Sequence, residues 1–492
     1  MVFAWKILLI TVAFAVVVQS SKLYCISHGN SRLNVEKCTT SKNRQVSAAA
    51  LTNNSVTTTV QNNLTFDLIC KSDPLTCEGV STTFSKATEI ISSVFQFETP
   101  LLINASFVDF CQEYGDCTND KRLVYIGKAH PSISYVMVDT SDNMTRMYPQ
   151  PLLKQFTDLK IRPAWTLYDI NAQFNSQVNW RFANNANPIN SNQTDFLRNV
   201  LHELIHGLGF MVSWSDELYK GLSPLFQQDL DPFITPELLA LTANEQLLNE
   251  YNSPLPFWGF VEYPLDKYLG YKESGNFHSY TSITSQLNQF YDSNVLFRNI
   301  VDMANSWYES SSYNIAKQVY ARSVSQQDVL AVIQGEVVVT LESSVKPFLS
   351  GASLCHVDQS SYLNSSDYLM VYTANRGVGI VELDQLFPDG PFGPKLKRVM
   401  GALGYNIKAV KTIRPTLRYW SPPNGLVDSN SNPNPSLTIN INGPAKTPTV
   451  SSSTSNSPVS TSSASFTTIY PHNHFLRYTI HLVLLTSLLL SL

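Results

Sequence analysis

The chain is poor in charge, and what it has is nearly balanced. Of its 492 residues 15% are charged, with 34 Lys and Arg against 38 Asp and Glu, for a formal net charge of -4 at pH 7. Without a basic excess to neutralise phosphates, a nucleic-acid partner is not expected. The sequence has no internal repeat, which argues against a solenoid or propeller. It also lacks an apolar run of the roughly 20 residues that a membrane-crossing helix needs. The two nearest candidates, Ile7 to Val18 and Ile480 to Leu492, are both short and sit at opposite ends. Cysteine is scarce after residue 117, where only Cys355 remains of the seven.

What is present is a globular composition, 43% hydrophobic and 11% aromatic, in a chain long enough for a large core. Lys6, the apolar run behind it, and then Ser20 and Ser21 have the layout of a secretory signal over residues 1–20. In an oxidising compartment Cys25, Cys38, Cys70, Cys77, Cys111 and Cys117 can form three disulfides, and Cys70/Cys77 and Cys111/Cys117 are spaced to close short loops. Six Asn-x-Ser/Thr sequons, at Asn53, Asn63, Asn104, Asn143, Asn192 and Asn364, fit the same glycosylated route. Residues 447–464 form a Ser- and Thr-rich stalk. Residues 465–492 follow as a polar spacer and an apolar tail, behind the small residues Ser462, Ser463 and Ala464. That pattern is expected of a glycosylphosphatidylinositol anchor signal, which would hold the protein at the cell surface.

Between these ends the pattern suggests an α+β body. Residues 21–62 read as an arm or a short prosegment, 63–210 as an N-terminal subdomain and 211–330 as an insertion. Residues 331–411 read as a C-terminal subdomain and 412–446 as an extension. From Phe84 apolar residues recur at helical spacing, through Ala87, Ile90, Ile91, Val94 and Phe95. Leu101 to Phe110 and Tyr168 to Phe174 read as strands, Val337 to Leu341 as a buried strand, and Leu396 to Leu403 as a helix stopped by Gly404. Helical patterns also run over Pro236 to Leu248 and Ser285 to Trp307.

The most informative helix carries Phe196, Val200, Leu201, Leu204, Ile205 and Leu208 on one face. Thr194 or Asn192 can cap it, Asp195 complements its dipole, and Gly207 and Gly209 end it. On it stands His202-Glu203-Leu204-Ile205-His206. Histidines four apart on a helix lie one turn apart on one face, as two ligands of one zinc ion must. Glu203 can then take a proton from a zinc-activated water and pass it to a leaving amine. A third protein ligand is needed. The position six after His206 is Val212, and no Asn-Glu-x-x-x-Asp pattern supplies a carboxylate. His278, His356 and the tail residues His472, His474 and His481 remain.

His202 through Phe210 resembles the metzincin motif as far as its glycine. Gly351-Ala352-Ser353-Leu354-Cys355-His356-Val357-Asp358, followed by Tyr368-Leu369-Met370, resembles the distant third histidine and Met-turn of the leishmanolysin-like metalloproteases. The resemblance implies a zinc endopeptidase with Glu203 as base and His202, His206 and His356 as ligands. It also implies Met370 as an apolar floor beneath the metal and Tyr372 as a transition-state stabiliser or simply a packing residue. Tyr168 to Phe174 resembles the edge strand over such a cleft. The segment 207–355 is longer than the family leads one to expect, its cysteine framework does not match, and Asn364 requires the loop before Met370 to be exposed. Expected partners are protein or peptide substrates and the membrane. Cys25 or Cys38 could cap the zinc, though a bond between them is the simpler reading, and Cys355 reads as a buried thiol. The rival readings are an inactive zincin fold serving surface adhesion and a zinc hydrolase acting on a non-peptide bond.

The anchor is directly testable. Phosphatidylinositol-specific phospholipase should release the mature protein from membranes, with a C-terminal peptide ending near Ser463; recovery of residues 480–492 from the mature protein would overturn the expectation.

Overall fold

The structure, a computed structural model, describes residues 63–117, 125–159, 162–226, 230–239, 255–290 and 296–421. It also describes the strands Leu23–His28, Leu33–Cys38, Val56–Thr57 and Ser465–Thr468. The signal and stalk regions, the apolar tail and Asn53 lie outside these residues. The fold is α+β, and among the described residues no helix is long and apolar enough to cross a membrane.

The main sheet is built from Leu64–Cys70, Leu101–Val108 and Ile170–Asn175, which run parallel. Tyr125–Pro131 joins antiparallel beside Ile170–Asn175. In Leu101–Val108 the alternate residues Leu101, Ile103, Ala105 and Phe107 are buried, and the positions between them are half-exposed until Val108 closes the strand in the core. A sheet with one covered face requires that period of two. The helix Pro74–Val94 links the first two strands and buries Val80, Phe84, Ala87 and Ile91. It starts ten residues before the apolar pattern at Phe84, because Asp73 caps the backbone N–H groups of Leu75 and Thr76 and Pro74 opens the first turn.

A second sheet is antiparallel: Leu33–Cys38 pairs with Leu23–His28, and both Leu23–His28 and Leu417–Tyr419 pair with Ile133–Asp139. Met144–Pro149 pairs with the same central strand. The N-terminal arm is therefore part of the body, with Cys25 and Cys38 bonded to each other. Cys70–Cys77 and Cys111–Cys117 form the other two disulfides, and Cys355 is free and buried. Insertion and C-terminal subdomain share a four-stranded antiparallel sheet of Asn276–Ser279, Leu269–Glu273, Val329–Ile333 and Glu336–Thr340.

Several local expectations change. The strand predicted at Tyr168 to Phe174 is Ile170–Asn175 and lies inside the sheet, between Leu101–Val108 and Tyr125–Pro131, not at an edge over a cleft. Neither Thr194 nor Asn192 caps the motif helix; Asp195 does, accepting the Arg198 N–H at 2.8 Å. The helical pattern over Ser285 to Trp307 breaks into the helix Tyr280–Leu287, a short turn at Asn288–Phe290 and the helix Ile300–Glu309. Pro236 to Leu248 holds the short strand Glu237–Leu238, and residues 240–248 lie outside the described residues. Glu336–Thr340 is a strand as expected, but it is the edge of its sheet and Val337 is exposed.

The motif helix, Phe196–Gly207, is buried on every side, not on its apolar face alone. Phe196 seats it in an aromatic cluster with Phe84, Phe107, Phe174, Trp180 and Phe182, at centroid distances of 5.0 to 6.1 Å. Burying one such ring contributes about 1.5–3 kcal/mol, with more from the edge-to-face contacts. At its other end Gly207 touches the central strand: a Cβ there would come within 2.4 Å of Ile170 Cγ2. The turn itself falls at Gly209, whose φ of +109° suits glycine.

Gly207→Ala should therefore destabilise the protein by about 1–3 kcal/mol in denaturant unfolding. The cost should shrink in an Ile170→Ala background; an equal cost in both backgrounds would show that the contact is not the cause.

Candidate metal centre

His202 and His206 project from the motif helix with their Nε2 atoms 3.1 Å apart. His356 arrives from the far side of the insertion. A bridge between Leu341 and Val357 and the bond from Glu342 N–H to the His356 carbonyl align its segment with the strand ending at Thr340. The Val357 N–H donates to the Met370 carbonyl. This brings His356 Nε2 to 3.1 Å from that of His202 and 3.2 Å from that of His206. All three imidazoles are buried. Among the described residues they form the one group of three or more His, Cys, Asp or Glu side chains close enough to share a metal ion.

The second nitrogen of each ring identifies the tautomer. His202 Nδ1 lies 2.7 Å from the Leu369 carbonyl, His206 Nδ1 2.8 Å from that of Phe210, and His356 Nδ1 3.0 Å from that of Ala352. A carbonyl only accepts, so each Nδ1 carries the hydrogen and each neutral ring turns a bare Nε2 lone pair inward. Three lone pairs converging in a dry interior repel one another unless a cation lies among them. Zinc at about 2.0–2.1 Å from each nitrogen is compatible with this spacing, and a carbonyl on the outer nitrogen of each ring is the usual support for a ligating histidine. An all-imidazole set also suits copper, iron or nickel. The donor set fits zinc.

Around this triad, Glu203 is fully buried, and the strand Tyr125–Pro131 passes directly over it. A Cβ on Gly127 would meet Asn199 Oδ1 at 2.7 Å and Glu203 Cγ at 3.2 Å, so only glycine allows this approach. Met370 is fully buried in the short turn Tyr368–Met370, whose Leu369 carbonyl holds His202. Tyr372 is half-buried, with its ring 6.4 Å from that of His356. Cys355 Sγ lies 3.2 Å from His356 Nδ1. His278 is elsewhere, exposed on the strand Asn276–Ser279 and stacked on Tyr271. Of the sequons, Asn63, Asn143, Asn192 and Asn364 are exposed. Asn104 sits mid-strand and donates to Asn171 Oδ1 at 3.0 Å.

Sequence reasoning missed the strand over Glu203, since Gly127, Lys128 and Pro131 are poor strand signals. It also missed Arg198, although one turn before His202 on the same helix face was a place to look.

A family model described as SPBPB7E8-like matches residues 25–440, which include every residue of this centre. The chain belongs to the SPBPB7E8-like family. It is also 25% identical over 349 residues to "Uncharacterized protein PB7E8.01" of Schizosaccharomyces pombe. That match covers 65% of this chain and 57% of the relative, so the chain spans little more than half of that protein's length. No solved structure matches the chain.

Burial pulls all three imidazoles below their ordinary pKa, His206 to about 4, and in His202 the neighbouring histidines add to the effect. Unfolded histidine titrates near 6.5, so the unfolded chain takes protons first as pH falls. The stability tied to neutral His206 is thus present above about 6.5 and lost on the way down to about 4, on the order of 3 kcal/mol. Metal-free protein should show this as a falling denaturation midpoint over that window, with a shallower fall in His206→Leu. Parallel curves for the two proteins would count against it.

Proposed function

We propose that this protein is a zinc-dependent endopeptidase with a metzincin-like catalytic body, acting on protein or peptide substrates at the cell surface or outside the cell. The observation that carries the reading is the convergence of three Nε2 lone pairs beside a buried glutamate on one helix. Bound zinc would supply Lewis acidity, acidifying a water and polarising the scissile carbonyl. The chain's own residues do the rest. Glu203 takes the proton of the attacking water and returns it to the departing amine nitrogen, as general base and then general acid. Its buried setting keeps competing water away from that transfer. His202, His206 and His356 would hold the ion, and Met370 is buried in the turn that also carries Leu369.

Substrate would lie along Tyr125–Pro131, the strand over Glu203, adding as a further strand through backbone hydrogen bonds. In this structure Ser465–Thr468 pairs with that side antiparallel, and processing of the expected anchor near Ser463 would remove that segment and free the edge for substrate. An adhesion protein on an inactive zincin fold would have no need of Glu203. A zinc hydrolase acting on another bond would keep the same centre but cleave no peptides in a proteome-wide assay.

Glu203→Ala should keep zinc and fold while peptidase activity falls by roughly 10²–10⁴-fold, and activity within a factor of ten of wild type would exclude the base role. In the same preparations His202→Ala, His206→Ala and His356→Ala should lose zinc under mild chelation, whereas His278→Ala should behave as wild type.

A further inference from the structure

Below the triad lies a buried charged strut that the proposed chemistry does not use. Arg198 is 5% exposed, and among the described residues its guanidinium is in ion-pair contact with no carboxylate. Its Nη2 donates to the Thr373 carbonyl at 3.3 Å, and its guanidinium carbon sits 5.6 Å from the centre of the Tyr368 ring. Both partners flank Met370. One turn earlier, Asp195 is 3% exposed and uses its two oxygens in different directions. Oδ1 caps the motif helix at Arg198 N–H, and Oδ2 accepts the Ile380 N–H at 3.1 Å.

Two glycines permit that second bond. Gly377, at φ +72°, donates its N–H to the Gln193 carbonyl at 2.8 Å, and a Cβ there would meet Ser191 Cα at 2.8 Å. A Cβ on Gly379 would meet Glu382 Oε2 at 2.3 Å and Asp195 Oδ2 at 2.9 Å. The segment Arg376-Gly377-Val378-Gly379-Ile380 is thus laid along the entry to the motif helix.

Burying a guanidinium against one carbonyl and one ring is costly, and an apolar side chain could fill the space at lower cost. What an apolar contact cannot supply is direction. The Leu369 carbonyl must reach His202 Nδ1, and Arg198 meets the turn carrying it at the Tyr368 ring before it and the Thr373 carbonyl after it, while Asp195 holds Ile380 farther along the same segment. We infer that Asp195 and Arg198 are positioning residues that lock the Tyr368–Met370 turn against the motif helix, and so set how tightly the three histidines retain their metal.

This inference rests on the zinc reading, and the experiment separates the two. Three full-length variants are compared with wild type. Arg198→Met keeps the stem and loses the fork. Asp195→Asn keeps a helix-capping oxygen but presents an amide, which cannot accept, to the Ile380 N–H. Gly379→Ala crowds Asp195 Oδ2 from the far side without changing any residue of the helix. Each is loaded with zinc and challenged with excess chelator, and amide exchange at Gly377 and Ile380 is followed in the metal-free form. Zinc should leave each folded variant roughly 10–100-fold faster than wild type, the usual effect of removing support behind a ligating histidine, with faster exchange at both amides. If one variant fails to fold, the others decide. Zinc release at the wild-type rate would overturn the inference even if melting temperatures fell, because the pair would then be merely structural. Wild-type protein that takes up no zinc would instead sink the zinc reading, and this inference with it.

Discussion

Three neutral imidazoles meet nitrogen to nitrogen at 3.1 to 3.2 Å in a dry interior, and the surrounding structure is arranged to make that possible. Left alone, such lone pairs would turn away toward hydrogen-bond donors. Each is prevented by a carbonyl on the opposite side of its ring. Those carbonyls come from three places: Phe210 just past the motif helix, Leu369 in the turn before Val371, and Ala352 in the loop before His356. Each must be held to within a few tenths of an ångström, and that requires a rigid scaffold.

The scaffold begins with the helix. Phe196 pins one end in an aromatic cluster and Gly207 lets the other lie against Ile170, so the histidines ride on an element that cannot slide on the sheet. The insertion supplies the rest. Just past it the strand Glu336–Thr340 leads into Leu341 and Glu342, which pair with the segment around His356. Asp358 N–H then returns to the Thr340 carbonyl at 2.9 Å. A long detour in sequence thus becomes a strand that carries the third histidine to the other two.

The insertion is itself bound to the N-terminal body through buried polar contacts. Arg146, fully buried, meets Glu262 at 2.9 Å, while Lys267 meets Asp139 at 2.7 Å. Asp266 accepts from Ser213 N–H at 3.0 Å and Tyr263 N–H at 2.7 Å, tying the insertion to the chain just past the motif helix. Buried ion pairs add little net stability, but breaking one strands a charge, so they oppose any alternative seating of the two parts. Burial, with neighbouring Glu262 adding to it, pushes the Asp266 carboxyl above its ordinary range.

Local features were legible in short stretches of sequence. The helix around His202 and His206 followed from apolar periodicity, and the strand near residue 104 from its run of apolar and β-forming residues. The disulfide loops at Cys70/Cys77 and Cys111/Cys117 followed from spacing, and the helix before Gly404 from its stop signal. These depend on neighbours a few residues away, and short-range sterics and patterning decide them. Features that depend on distant partners were set by packing. Asp195, the helix cap, also turns its second oxygen to Ile380, 185 residues on. Ile170–Asn175 became an interior strand because Tyr125–Pro131, a weak strand by composition, gains its pairing from the sheet. Among the candidate third histidines, the residues alone left several open. Only the path of the insertion brings His356 to the helix and leaves His278 on the surface, since the distance between side chains so far apart in sequence is set by how whole sheets pack, not by any local preference.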